Sequence, residues 1–124
     1  MKNNKDFKEK LIKRAYLLSC NTIQMVDKFP QKRSAWVIAD QLLRAITSIA
    51  ANIIESQAAS SKKDFIRFLT YALKSGNESK FWLALAKKLD SKLSSEIENL
   101  LKETDEIVKI LGSSIYTLKK KSQL

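Results

Sequence analysis

Only two glycines and one proline punctuate the 124 residues of this chain. Sandwiches and barrels turn about every 8–12 residues, and their turns draw on glycine and proline for backbone conformations that other residues resist. A chain so poor in breakers folds into a few long elements, and strands are short, so the long elements are helices. An all-α fold is therefore expected from punctuation alone. At 14.1 kDa the chain suits one domain, taken as residues 1–124.

Apolar spacing divides the chain into four helices. In the first, roughly 6–28, Phe7, Leu11, Leu18, Met25 and Phe29 share one face, with Ala15 and Thr22 between them. Phe29-Pro30 closes it, because a residue before proline is pushed out of the α region. Ser34 is the expected N-cap of the second helix, roughly 35–58. Ser61 with Asp64 three residues on resembles a capping box for the third, roughly 62–89. Its core stripe is read as Phe65, Phe68, Leu69, Ala72, Leu73, Phe81, Leu85 and Leu89. Gly76-Asn77 lies inside this stripe and is read as a weak spot in a continuous helix, costing about 1 kcal/mol. After a break at Asp90-Ser91-Lys92, Leu93, Ile97, Leu100, Thr104, Ile107, Leu111, Ile115 and Leu118 mark the fourth helix, roughly 94–119. Gly112 falls within its last turns. Four such helices with short connections make an up-down-up-down antiparallel four-helix bundle.

The second helix differs in kind. Asp40, Arg44 and Glu55 are its only charges, while Trp36, Val37, Ile38, Leu42, Leu43, Ile46, Ile49, Ile53 and Ile54 spread around its circumference. In a small bundle every helix turns one side outward, so a helix apolar on more than one face is expected to bury the second against another subunit. The chain carries 23 basic and 13 acidic side chains, net +10. Residues 1–33 hold nine basic and three acidic groups, and residues 61–92 hold eight and three. The excess thus belongs to helices one and three and to a basic C-terminal tip. Lys10, Lys13 and Arg14, then Arg67, Lys74, Lys80, Lys87 and Lys88, and finally Lys119, Lys120 and Lys121 are the candidates for contact with RNA or DNA phosphates. A solvated face that keeps the protein soluble is the competing reading of the same lysines.

Catalytic chemistry is hard to assemble from these residues. There is no histidine, which removes the commonest general base and metal ligand, so neither an enzyme, a cofactor nor a metal site is expected. Two glycines cannot make a glycine-rich phosphate loop. Glu55 and Glu78 stand in apolar stretches where they could meet as a carboxylate pair. The stronger reading makes them a structural polar core with Arg44, Asn52 and Ser75. Cys20 has no histidine to activate it and reads as a small, partly buried side chain. Trp36 and Trp82 read as packing residues. One cysteine allows no internal disulfide, and the charged N-terminus lacks the apolar core of a signal peptide. The longest apolar run, Phe81–Ala86, is far too short to span a bilayer. A cytoplasmic setting without membrane contact is expected.

Several stretches carry a family resemblance. They are Phe29-Pro30, Gln41-Leu-Leu-Arg-Ala45, Ser48-Ile-Ala-Ala-Asn-Ile53 with Glu55, Ser61-Lys-Lys-Asp-Phe-Ile-Arg-Phe-Leu69 and Ala72-Leu-Lys-Ser-Gly-Asn-Glu78. From about Leu11 to Leu118 the chain resembles a bacterial four-helix-bundle family first noticed in intervening sequences of 23S ribosomal RNA genes. That family includes the accessory variability determinant of diversity-generating retroelements. The chain departs from its usual pattern at Leu43, Ser56, Ser60 and Lys74. The resemblance implies an up-down bundle that forms a homo-oligomeric ring, a pentamer in the retroelement branch, where the basic ring binds nucleic acid and partners a reverse transcriptase. Two functions compete on this basis. One is a non-catalytic, oligomeric nucleic-acid-binding accessory protein; the other is a self-assembling adaptor for a protein partner, with no role on nucleic acid.

Overall fold

The computed structural model describes residues 2–122, with side chains for residues 5–121. Four helices follow one another: α1 (Lys2–Val26), α2 (Arg33–Ser56), α3 (Lys62–Ala86) and α4 (Ser94–Ser122), with one 3-10 turn at Ser91–Leu93. No strand occurs among the described residues. Each helix packs on its neighbours in the order α1–α2–α3–α4, and α4 returns against α1. The fold is an all-α four-helix bundle in which α1 and α3 are diagonal, as are α2 and α4. The starts of α1 and α3 and the ends of α2 and α4 therefore share one end of the bundle.

The boundaries have local causes. Ser61 accepts a hydrogen bond from the Asp64 backbone N–H at 3.0 Å, and the Asp64 carboxylate reaches back to the Ser60 N–H at 3.3 Å. This reciprocal cap starts α3 where the sequence placed it. Asp90 accepts from the Lys92 N–H at 3.0 Å and opens the 3-10 turn. The start of α2 corrects the expectation. Lys32, in extended backbone and without a side-chain hydrogen bond, occupies the cap position, and Ser34 already lies within the helix.

The core is built from strict rows at alternating spacings of three and four. In α1 the row is Leu11, Ala15, Leu18, Thr22 and Met25, continued by Phe29 just beyond the helix, all buried; Phe7, placed in that row from sequence, is 47% exposed. From Leu93 in the 3-10 turn the row runs on through α4 as Ile97, Leu100, Thr104, Ile107, Leu111 and Ile115, as the heptad indicates. The α3 row differs from expectation. Leu69, Ala72, Gly76, Ser79, Leu83 and Ala86 face inward, whereas Phe81 and Leu85 lie outside, at 57% and 37% exposure. Small side chains at the inner positions let α3 approach its neighbours closely. Gly76 is the extreme case: a β-carbon there would stand 2.5 Å from Val108 Cγ2 of α4 and 3.8 Å from Ile49 Cδ1 of α2. It is a contact point between helices rather than a flaw in one. Gly112 meets nothing within 4 Å.

Polar groups inside the core are satisfied locally. The hydroxyls of Ser19, Thr22, Ser79 and Thr104 donate to carbonyls four residues back, and Ser56 donates to the carbonyl three residues back. No buried side-chain nitrogen or oxygen among the described residues lacks a partner.

Candidate functional site

α2 carries the sharpest surface signal. Its inner row, including Ala35, Ile38, Leu42, Ile46, Ile49 and Ile53, is buried. Its outer side still shows Trp36 at 56% exposure, Val37 at 53% and Ile54 at 53%. By length and composition α2 alone among the described helices could cross a membrane. Its inner row is nonetheless spent on the bundle core, and Asp40, Arg44 and Glu55 interrupt the outer side. Trp36, expected to pack, is on the surface. The cause lies in its phase, one position past Ala35 and two before Ile38 of the core row.

The bridge between Arg44 and Glu78 joins α2 to α3. It sets an antiparallel register that puts Val37 across from Leu85 and Ile54 across from Phe68. Exposed apolar side chains thus stand on the outer sides of both helices about this seam, Trp36 and Ile54 on the flank of α2 turned away from α3. Along the helix axes Trp36, Val37, Phe81 and Leu85 lie on one side of the bridge and Ile54 and Tyr71 on the other, where Tyr71 meets the half-buried Phe68 edge to face at 6.1 Å. Between them Arg44 also donates to Gln41 Oε1 at 2.9 Å, and the Trp82 indole N–H donates to Glu78 Oε2 at 2.9 Å. The indole hydrogen bond, followed by that from Arg44, holds the Glu78 carboxyl below the usual carboxylate range.

These residues do not form a buried polar core. Arg44 and Glu55 are exposed, and the Glu78 side chain is 38% exposed. Asn52 donates to the Ser48 carbonyl at 2.8 Å within its own helix. Ser75 takes part only through its carbonyl, which accepts from Ser79. Glu55 lies eleven residues from Arg44, about 16 Å along α2, so it and Glu78 make no carboxylate pair. Among the described residues no group of three or more cysteines or carboxylates is placed to hold a metal. Cys20 is half-buried and free.

The basic residues sort into paired and unpaired groups. Arg14 makes a bidentate bridge to Glu103 of α4, at 2.6 and 2.8 Å, with Glu106 at 3.6 Å. These carboxylates raise the Arg14 pKa, the Glu103 hydrogen bond foremost. Lys80 pairs with Asp105 at 3.0 Å, Lys87 with Glu98, and Arg67 with Asp64. α4 therefore spends its acids on both flanking helices. Lys10, Lys13, Lys74, Lys88, Lys119, Lys120 and Lys121 have no ion pair among the described residues.

The unpaired lysines do not lie on one track. Lys10 and Lys13 belong to α1 and Lys74 and Lys88 to α3, the diagonal pair, so they point to opposite sides. Topology brings a different set together. Lys5 and Lys8 near the start of α1, Lys62 and Lys63 at the start of α3, and Lys119–Lys121 at the end of α4 share one end of the bundle. Asp6, Glu9, Glu55 and Asp64 are the acids nearby, and Asp64 is already used by its cap and by Arg67. Lys5, Lys8, Lys62 and Lys63 were missed as candidates. The antiparallel order of the helices was the signal that could have found them.

Comparison with known proteins gives a family and a solved structure of similar fold. The model of the 23S rRNA-intervening sequence protein family matches residues 8–113. A crystal structure from Bacteroides thetaiotaomicron VPI-5482, of a protein with unknown function from the S23 ribosomal protein family, superimposes with a TM-score of 0.80. It is 29% identical, over 88% of this chain and 97% of that one. No curated protein matches. Neither similarity carries the name of an enzyme.

Proposed function

The chain belongs to the 23S rRNA-intervening sequence protein family, and on that premise we propose that it is a non-catalytic accessory protein that assembles with copies of itself and grips nucleic acid through its lysine-rich end. The observation that carries the proposal is the separation of two surfaces. An apolar seam on α2 and α3 is free for protein contact, while Lys62, Lys63 and Lys119–Lys121 stand together at one end. A ring built through the seam repeats that cationic end around an axis and multiplies phosphate contacts. The retroelement branch of the family supplies the guide for stoichiometry, five copies, and for a protein partner, a reverse transcriptase. A lone half-buried cysteine suits the reducing cytoplasm.

Titration of duplex DNA and of a structured RNA at several salt concentrations tests the nucleic-acid half. Binding is expected to weaken linearly in log K against log salt, by about 0.9 per phosphate contact on duplex DNA. Changing Lys119, Lys120 and Lys121 to Gln should flatten that slope; changing Lys10 and Lys13 should alter it less. Absence of binding at low salt, or binding indifferent to salt, refutes it.

The seam also favours a second reading, an adaptor whose exposed aromatic residues hold a different protein. A partner that stays bound to the purified protein after complete nuclease digestion, and is lost with Trp36→Glu, supports this reading over the first.

A further inference from the structure

The lysine-rich end contains a cavity of about 330 Å³ that the nucleic-acid reading leaves unused. All four helices contribute to it. Leu11, Ile53, Phe65, Leu69 and Leu111 form an apolar floor, continuous with the core. Lys8, Gln57, Ser113, Ser114, Thr117 and Lys121 are its polar members, and among the described residues no aspartate or glutamate lines it. Lys8 lies over the Phe65 ring, its Nζ 4.7 Å from the centroid, so one cation is already held against the apolar wall. The volume falls within the range of small-molecule pockets, and an apolar chamber with a few placed polar groups is the usual form of a ligand site.

We infer that this cavity binds an amphiphilic carboxylate, with an acyl chain on the floor and its carboxylate between Lys8 and Lys121. The occupant follows from charge complementarity. Among the described residues the only charges on the lining are positive, which disfavours a cationic amphiphile and gives an anionic head two ammonium partners. Neither nucleotides nor a phosphate backbone would fill a floor made of leucine, isoleucine and phenylalanine. The commitment is to a soluble acyl carboxylate taken up one at a time, not to a bilayer surface.

Calorimetric titration with decanoate below its micellar range, with decanol and decyltrimethylammonium as matched probes, tests the inference. One decanoate per chain is expected, bound about tenfold more tightly than decanol, since each lysine contributes about threefold to the preference. Lys8→Gln with Lys121→Gln should bring decanoate down to the affinity of decanol. Thr117→Trp, a change at an exposed rim position, should plug the cavity and abolish uptake while the helical circular dichroism stays unchanged. Equal affinity for decanoate and decanol in the unmodified protein, or undiminished uptake by Thr117→Trp, would overturn the proposal. So would co-sedimentation with phosphatidylcholine–phosphatidylglycerol vesicles in the absence of any saturable decanoate binding. Duplex DNA binding by Thr117→Trp, read alongside, keeps this outcome separate from that of the nucleic-acid proposal.

Discussion

Two glycines in helix interiors should respond to the same substitution with opposite signs. Replacing a helical glycine with alanine ordinarily gains about 1 kcal/mol from helix propensity. Gly112→Ala has open space around the new methyl and should realise up to that gain. At Gly76 the added carbon would sit 2.5 Å from Val108 Cγ2, against the roughly 3.5–4.0 Å of an ordinary carbon contact. Val108 is β-branched and restricted at χ1, so it cannot swing aside cheaply, and α3 and α4 must separate by about 1 Å. Overpacking of this kind costs about 1–3 kcal/mol. Set against the propensity gain, Gly76→Ala should destabilise by about 1 kcal/mol. Unfolding entropy of about 2.1 cal/mol/K per residue makes 1 kcal/mol roughly 4 °C for a chain of this length. The two variants should therefore melt about 8 °C apart at equal protein concentration. Urea unfolding with unchanged m-values would show that the difference is one of stability and not of altered compactness. Adding Val108→Ala to Gly76→Ala should recover part of the loss beyond additivity. A Gly76→Ala protein as stable as the parent, or a pair of variants that move together, would refute the close-contact account.

Other expectations concern the seam, the cap and acid stability. Trp36→Glu changes a side chain already 56% exposed, so it should leave the helix content intact while light scattering falls from a multiple of 14 kDa to the mass of one chain; a parent protein that is already monomeric contradicts assembly through the seam. Ser61→Ala removes the acceptor for the Asp64 N–H and should cost about 1 kcal/mol in urea denaturation, with no loss if the cap is ornamental. The Glu78 carboxyl is held below its unfolded value by Trp82 and Arg44. Its contribution is thus complete above the ordinary carboxylate range near about 4.3 and disappears as pH falls through the lower folded value. Glu78→Gln should make the urea midpoint less sensitive to pH in that window, and an unchanged acid limb would show that the bridge gives nothing to stability.

Much of the fold could be read from spacing because three of the four inner rows are made of large side chains. α4 repeats leucine and isoleucine at threes and fours, and only one phase fits. α3 was misread at its C-terminal half, since its true row, Ala72, Gly76, Ser79, Leu83 and Ala86, is mostly small. Phe81 and Leu85 offered more hydrophobicity in the wrong phase. A row of small residues is a signature of close approach, and the approach itself needs the partner helix to be visible. The surfaces were less legible than the core for a related reason. Lysine counts per segment showed where cations are abundant but not which are consumed. Arg14, Lys80 and Lys87 are neutralised by Glu103, Asp105 and Glu98, residues 89, 25 and 11 positions away in sequence. The apolar outer side of α2 was legible because it needed no partner to be recognised.

The buried hydroxyls have one more consequence. Each satisfies itself on the rod that bears it, so none of these buried hydroxyls ties the vertical position of one rod to that of another. Sliding or tilting of neighbouring rods is resisted by shape, chiefly where the backbone at residue 76 meets Val108, and by ion pairs at the rim that water can replace. In the proposed assembly, copies pressing on α2 and α3 could therefore adjust the angle between these two rods without orphaning a buried hydroxyl. Relatives that differ in their pattern of small side chains can settle at another tilt on the same terms.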